Sequence, residues 1–317
     1  MAAALAVVGL SAPVQASAQS PTLGEVVVSG LHNSYQKSAF PRMSDALATG
    51  VGMIEIDVWT TFSAWTVGHD HPFWNSNNCT NASGSTDQNL GSCVDNIRTW
   101  HDANPNHQPL LIKLELKAGF QDDQGVGPDE LDSLFRNRLG GAMYRPADLM
   151  GGTHATPDAA SRANAWAPAA SLRGRVILMV LKGTVENDAL PTEVEYARHL
   201  SANPGTAVGF PFVHDGVQAA DPRTRYEAAL RPWFVVFDGG ANTFVNLPAA
   251  AKAFYRDNHY LTVTTGSHEP APALPVNNPT TQQATDRLRM LGCQGSSVAS
   301  SDWYRVPGWH ITAPRGC

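Results

Sequence analysis

"EVVVSGLHNSY", residues 25–35, is the stretch on which the reading of this chain turns. A short β-branched run ends abruptly on His32, Asn33, Ser34 and Tyr35. Near-continuous apolar character over so few residues is the mark of a parallel strand buried on both faces. Polar, chemically able side chains at the end of such a strand are what an α/β barrel gathers at the C-terminal mouth of its sheet. Similar runs recur at 52–59 (GMIEIDVW), 109–117 (PLLIKLELK), 175–183 (RVILMVLKG), 208–213 (VGFPFV), 233–240 (WFVVFDGG) and 260–266 (YLTVTTG). Between them lie helical candidates. Residues 129–139 (DELDSLFRNRL) carry acids early and bases late, as the helix dipole favours. Residues 280–292 end on Gly292, expected at a C-cap. This alternation predicts one (β/α) barrel over 19–317, closed by an irregular segment around 297–304 (SVASSDWY). An open doubly wound sheet is the alternative, but no G-x-G-x-x-G turn follows the first strand. The Asn/Ser/Gly-rich stretch 75–91 and the Ala/Pro-rich stretch 151–170 are expected to decorate the active-site face.

With 317 residues, 43% of them hydrophobic, the chain can bury a large core, and at 16% charged with a net charge of -6 it lacks the electrostatic footprint of a nucleic-acid binder. No Lys/Arg-rich run appears, so no nucleic-acid partner is expected, and the chain is read as a monomer. Residues 1–18 read as the apolar core of a signal peptide with its basic n-region missing, cut after Ala16-Ser17-Ala18. That makes a secreted protein, extracellular or periplasmic. The four cysteines agree: of three connectivities, Cys79 with Cys93 and Cys293 with Cys317 is the local choice, and no C-x-x-C spacing argues for zinc or redox chemistry.

Glu55 and Asp57 alternate on one strand and so share a face. Two carboxylates on an inward face are costly unless a cation or strong donors compensate. Either an internal ion-pair network with Lys113 or Arg42, or a bound divalent cation, supplies that. Glu115, on the face it shares with Lys113 and Lys117, brings a third carboxylate, and Asn33 a neutral oxygen. Such an oxygen set suits Ca²⁺, admits Mg²⁺, and is wrong for zinc. His32 and His69 then flank the ion as an acid/base pair. The His69-x-His71 pair could alternatively hold zinc, but it lacks the further ligands a barrel zinc site needs. The other histidines, His199 and His310 among them, are read as surface or loop residues.

Together these residues carry a resemblance. His32-Asn33-Ser34-Tyr35, Glu55-x-Asp57, Gly68-His69, Glu115 and the run 172–183 ending near Lys182 resemble, in order and spacing, the catalytic barrel of phosphatidylinositol-specific phospholipases C, in their secreted calcium-dependent branch. The resemblance spans about residues 24–117 most specifically. It implies a distorted (β/α)8 TIM barrel of the PLC-like phosphodiesterase type. It also implies cleavage of phosphatidylinositol to diacylglycerol and inositol 1,2-cyclic phosphate, with Ca²⁺ on Asn33, Glu55, Asp57 and Glu115 and catalysis by His32 and His69. Lys182 matches a lysine that contacts the headgroup; Lys113, Trp303 and Tyr304 are further substrate-binding candidates. A glycerophosphodiesterase or sphingomyelinase D type enzyme shares the barrel but generally lacks Asn-Ser-Tyr after the first histidine. A non-catalytic lipid- or glycan-binding barrel would not need both histidines. Phe62, Trp65, Phe73 and Trp74 are candidates for peripheral contact with a membrane surface.

Overall fold

The computed structural model describes residues 20–71, 73–186 and 189–317. The proposed signal peptide lies outside the described residues. Strands run at β1 (Val26–Leu31), β2 (Met53–Thr61), β3 (Ala64–Val67), β4 (Leu110–Leu116), β5 (Val176–Lys182), β6 (Gly209–Val213), β7 (Val236–Gly240), β8 (Leu261–Thr265), β9 (Val298–Ser301) and β10 (Thr312–Pro314). The helices are α1 (Met43–Ala48), α2 (Leu90–Ala103), α3 (Pro128–Leu139), α4 (Pro146–Met150), α5 (Pro157–Arg162), α6 (Thr192–Ala202), α7 (Ala241–Val245), α8 (Ala249–Asp257) and α9 (Thr281–Cys293).

Parallel pairing runs β1, β9, β8, β7, β6, β5, β4, β2, and β2 returns to β1, closing an eight-stranded barrel. The closure is short. Only Gly30 and Leu31 of β1 meet β2, because β10 runs antiparallel along Val26–Val28 and occupies the lower part of that edge.

Register explains how one strand serves two cores. Met53, Leu111 and Ile177 lie side by side and pack in the cluster that includes the barrel interior, whereas Ile54, Ile112 and Leu178 pack in the cluster that includes α2 and α3. Buried on both faces, these strands need an almost unbroken apolar sequence. The inward row then changes character upward: Glu55 pairs in register with Lys113, and Asp57 with Glu115.

Several expectations are corrected. The segment 297–304 is not irregular: Val298–Ser301 form β9, which pairs with both β8 and β1 and completes the barrel. Its small polar residues, backed by Thr262 and Thr264, hid it from a search for apolar runs. The stretch 151–170 lies at the opposite end of the barrel from the mouth. Leu23 N–H donates to Ala167 O and the indole of Trp166 to His259 O, so buried Trp166 plugs the base against Phe210 and Tyr144. Gly292 is inside α9 rather than at its C-cap: a Cβ there would meet Val27 Cγ1 at 2.2 Å, so close packing on β1 requires the glycine. His199 is not a surface residue; on α6 it meets buried Asp132 of α3 at 2.8 Å. His310 does lie in a loop, before β10, half-buried with Nδ1 at 3.0 Å from Ser29 Oγ.

Candidate active site

The stretch 75–91 does reach the mouth, as expected. Asn78, itself buried, donates its amide to Ser34 O and Phe40 O, and its backbone N–H to Tyr35 O, which pins the turn after β1. The Cys79–Cys93 disulfide ties this stretch to α2, and Cys293–Cys317 ties the C-terminus to α9. In the pinned turn Asn33 has φ 52°, a left-handed conformation that asparagine tolerates better than most residues. There its backbone N–H donates to Glu55 Oε2 at 3.0 Å.

Glu55, Asp57 and Glu115 each offer an oxygen within 4.8 Å of the others, and they are the metal-capable cluster among the described residues. His69-x-His71 is not part of it. Internal ion pairs compensate these acids in part. Lys113 Nζ lies 3.0 Å from Glu55 and 3.2 Å from Asp238 of β7, while Lys117 Nζ lies 2.8 Å from Asp57 and 2.7 Å from Glu115. Arg42 takes no part; its N–H caps α1 through Asp45. Four carboxylates thus face two ammonium groups, so with every carboxyl ionised the lysines alone leave negative charge uncompensated. Asp57 Oδ1 is buried without any protein partner. An orphaned carboxylate oxygen, an excess of carboxylates over lysines and an all-oxygen donor set fit a hard divalent cation.

The electrostatics follow from this crowding. Burial opposes ionisation of Glu55, yet Lys113, His32 and the Asn33 N–H outweigh it and bring its pKa down to about 2. Asp57 goes the other way: burial first, then the charges of Glu55 and Glu115, push its carboxyl up to about 7 against the pull of Lys117. Lys113 is desolvated too, but Asp238 and Glu55 hold it firmly protonated.

His32 stands across the mouth. Its Nδ1 meets Asp302 Oδ1 at 2.9 Å, and its Nε2 lies 3.5 Å from Glu55 Oε2. Burial pulls its pKa down, but the Glu55 charge and the Asp302 hydrogen bond prevail and lift it to about 9. The same Asp302 oxygen accepts the Tyr304 hydroxyl at 2.6 Å. Tyr304 packs edge-on to Phe40 at 5.7 Å, so it holds Asp302 in place from behind. His69 follows β3 on a loop tied to β2, with Gly68 N–H donating to Asp57 O and the Trp59 indole to Gly68 O; its Nδ1 is 2.6 Å from Asp70 Oδ1.

Other expected residues sit elsewhere. Trp303 is fully buried, its indole bonded to Pro275 O and its ring edge-on to Trp309, so it has no face to offer a sugar ring. Lys182 is in register with Leu116, which packs in the outer core, and so shares the face opposite to that of Lys113. Three partners escaped the sequence reading. Lys117 was noted only as a neighbour of Glu115, and Asp238 and Asp302 stand on strands whose ends carry no motif. The signal for both was a lone acid closing a strand, in "VVFDGG" and "VASSD".

No family model matches this chain, and no curated protein does. Among solved structures, a Ca²⁺-dependent phosphatidylinositol-specific phospholipase C from Streptomyces antibioticus is 40% identical, over 94% of this chain and 100% of that one, with a TM-score of 0.88. A calcium-dependent phosphoinositol-specific phospholipase C from a Gram-negative Pseudomonas shares the fold, with a TM-score of 0.70 at 18% identity over 93% of this chain and 96% of its own. A buried carboxylate triad beside an Asp-held histidine, on a barrel that shares two residues in five with the Streptomyces enzyme, has one reading: this chain belongs to the Ca²⁺-dependent phosphatidylinositol-specific phospholipase C family.

Proposed function

We propose that this protein cleaves phosphatidylinositol by the phospholipase C reaction, with the site residues in the following roles. The inositol 2-hydroxyl attacks phosphorus, the bond from phosphorus to the glycerol oxygen breaks, and diacylglycerol leaves as inositol 1,2-cyclic phosphate forms. Glu55, Asp57 and Glu115, with the Asn33 side chain, would hold Ca²⁺; the ion supplies positive charge for the phosphate and lowers the pKa of the hydroxyl. His32 lies against the phosphate. It acts in one of two ways: as imidazolium it stabilises the charge that grows on the phosphoryl oxygens, or as neutral imidazole, oriented by Asp302, it takes the proton of the attacking hydroxyl. His69 protonates the departing glycerol oxygen.

The observation that carries this reading is the meeting of His32 and the carboxylate triad at one barrel mouth, joined by the 3.5 Å approach of His32 to Glu55. Exposed Phe62, at the tip of the β2–β3 hairpin, and nearby Phe73 and Trp74 support peripheral contact with a lipid surface on the His69 side. Trp65, buried, belongs to the core instead. Two disulfides support an extracellular or periplasmic location. No described helix is long and apolar enough to cross a membrane.

Phosphorus NMR of phosphatidylinositol incubated with the purified protein tests the reading, with added Ca²⁺, with Mg²⁺ and with chelator. A cyclic phosphate that forms with Ca²⁺ and vanishes with chelator is the expected result. Turnover unaffected by chelator, or a linear phosphate as first product, would refute it.

A further inference from the structure

A cavity of about 410 Å³ opens at the base of the barrel, the end away from the carboxylate triad. Arg175 and Val208, which line it, immediately precede β5 and β6, and Arg136 reaches it from the last turn of α3. Its charged walls are three guanidinium groups, those of Arg136, Arg145 and Arg175, against one carboxylate, Asp148. Like charges gathered in one concavity repel each other, and a counter-charge relieves them. Asp148 supplies part of it, at 3.5 Å from Arg145 Nε and 3.9 Å from Arg175. Asp132 lies 3.9 Å from Arg136, but it is buried and already bonded to His199 and to the Tyr196 hydroxyl. The cavity therefore keeps an excess of positive charge.

The donors of these arginines are largely uncommitted as well. A guanidinium carries five N–H groups. Across the three side chains the hydrogen bonds made to described residues are Arg136 to Thr206 O at 2.9 Å and Arg175 to Met143 O at 2.6 Å. Arg175 Nε is buried with no partner, whereas buried polar atoms of native proteins are nearly always satisfied. Part of the wall is bare backbone at Gly141, whose φ is not left-handed and where a Cβ would meet nothing within 4 Å. A glycine that neither its own conformation nor packing within the chain demands fits the close approach of a ligand to the backbone.

We propose that this cavity binds a phosphate group, with Arg145 and Arg175 hydrogen-bonding its oxygens and Arg136 adding to the charge that holds it. The planar guanidinium fork matches the geometry of phosphate oxygens, an advantage that a halide cannot use. The site lies at the opposite end of the barrel from the β2–β3 hairpin, so its phosphate comes from solution and not from a bilayer that the hairpin touches. It is either the free inorganic ion or the phosphoryl group of a soluble organic phosphate, for which the cavity has room. Bound there, the anion joins α3, α4 and the start of β5, and stabilises the fold by mass action.

Arginine Nε–Hε ¹H–¹⁵N spectra of the whole protein, titrated at constant ionic strength with inorganic phosphate and separately with α-D-glucose 1-phosphate, test the site directly. The Arg175 Nε–Hε group is shielded from solvent, so its resonance is observable, and it should shift saturably with phosphate but not with chloride. Arg145→Gln should weaken binding about tenfold, the effect of one charge-assisted hydrogen bond. Asp148→Asn should tighten it about threefold by removing the competing carboxylate. Both variants keep the cap of α4, in which the Arg145 backbone N–H donates to the side-chain oxygen of residue 148 at 2.8 Å, so neither disturbs the fold. Tighter binding of the sugar phosphate than of inorganic phosphate assigns an organic phosphate; equal or weaker binding assigns the free ion. No saturable shift with either probe, the same shift with chloride, or equal affinities in wild type and Arg145→Gln would overturn the proposal.

Discussion

With Asp57 as one of the proposed calcium ligands, calcium and a proton compete for its carboxylate, and the competition sets a measurable pH dependence. Without an ion, burial and the charges of Glu55 and Glu115 raise the Asp57 pKa to about 7. Holding the ion requires the ionised form, so affinity rises with pH through that value. The ionised fraction is about a tenth at pH 6 and about nine tenths at pH 8, so the apparent Kd for Ca²⁺ falls about tenfold across that interval. The sign is fixed by the direction of the shift. A carboxyl whose folded pKa is raised favours the folded state at low pH, and that contribution is lost as pH climbs from the unfolded value through about 7. Ion-free protein should therefore lose thermal stability between pH 5 and 8, and Ca²⁺ should restore it. Calorimetric titrations at pH 6, 7 and 8, in buffers of different ionisation enthalpy, report both the affinity and the protons released. Asp57→Asn separates the causes: it should be more stable than ion-free wild type at pH 8, yet gain nothing from Ca²⁺. An affinity that does not change with pH, with no proton release at pH 7, would refute the argument.

Asp302→Asn removes a charge-assisted bond to His32 and should lower kcat roughly ten- to hundredfold, while Tyr304→Phe, which removes a neutral bond to the same carboxylate, should cost roughly two- to tenfold. Equal losses in the two variants would show that Tyr304 does more than hold Asp302. Phe62→Ser and Trp74→Ser should weaken binding to phosphatidylinositol vesicles by tenfold or more in sedimentation, since inserting one such ring is worth about 1.5–3 kcal/mol, with turnover of a short-chain soluble substrate unchanged. Trp166→Ala opens the base of the barrel and should destabilise the protein by about 3–5 kcal/mol in urea, with the kcat of the remaining folded enzyme preserved.

Much of this was legible in the sequence because it is local. Strands buried on both faces must be apolar nearly throughout, so β1, β2 and β4 to β8 announced themselves as short hydrophobic runs. Alternation along a strand is equally local, and it put Glu55 and Asp57 on one face before any fold was known. β9 escaped because it is short, ends on two serines, and its pairing comes from distant β1 and β8.

What only the tertiary structure decided is which groups meet. Charge compensation is a matter of angstroms, and Lys113 reaching Asp238 spans 125 positions of sequence while His32 reaching Asp302 spans 270. The same holds for the ends of the barrel. Residues 75–91 and 151–170 look alike as long polar or small-residue stretches, yet one pins the turn after β1 through Asn78 and the other plugs the base through Trp166. Trp303, beside Tyr304 in sequence, points into the core while its neighbour bonds Asp302. Composition and spacing state which side chains are available and which share a strand face; burial and long-range register decide whether each becomes a ligand, a counter-ion or core.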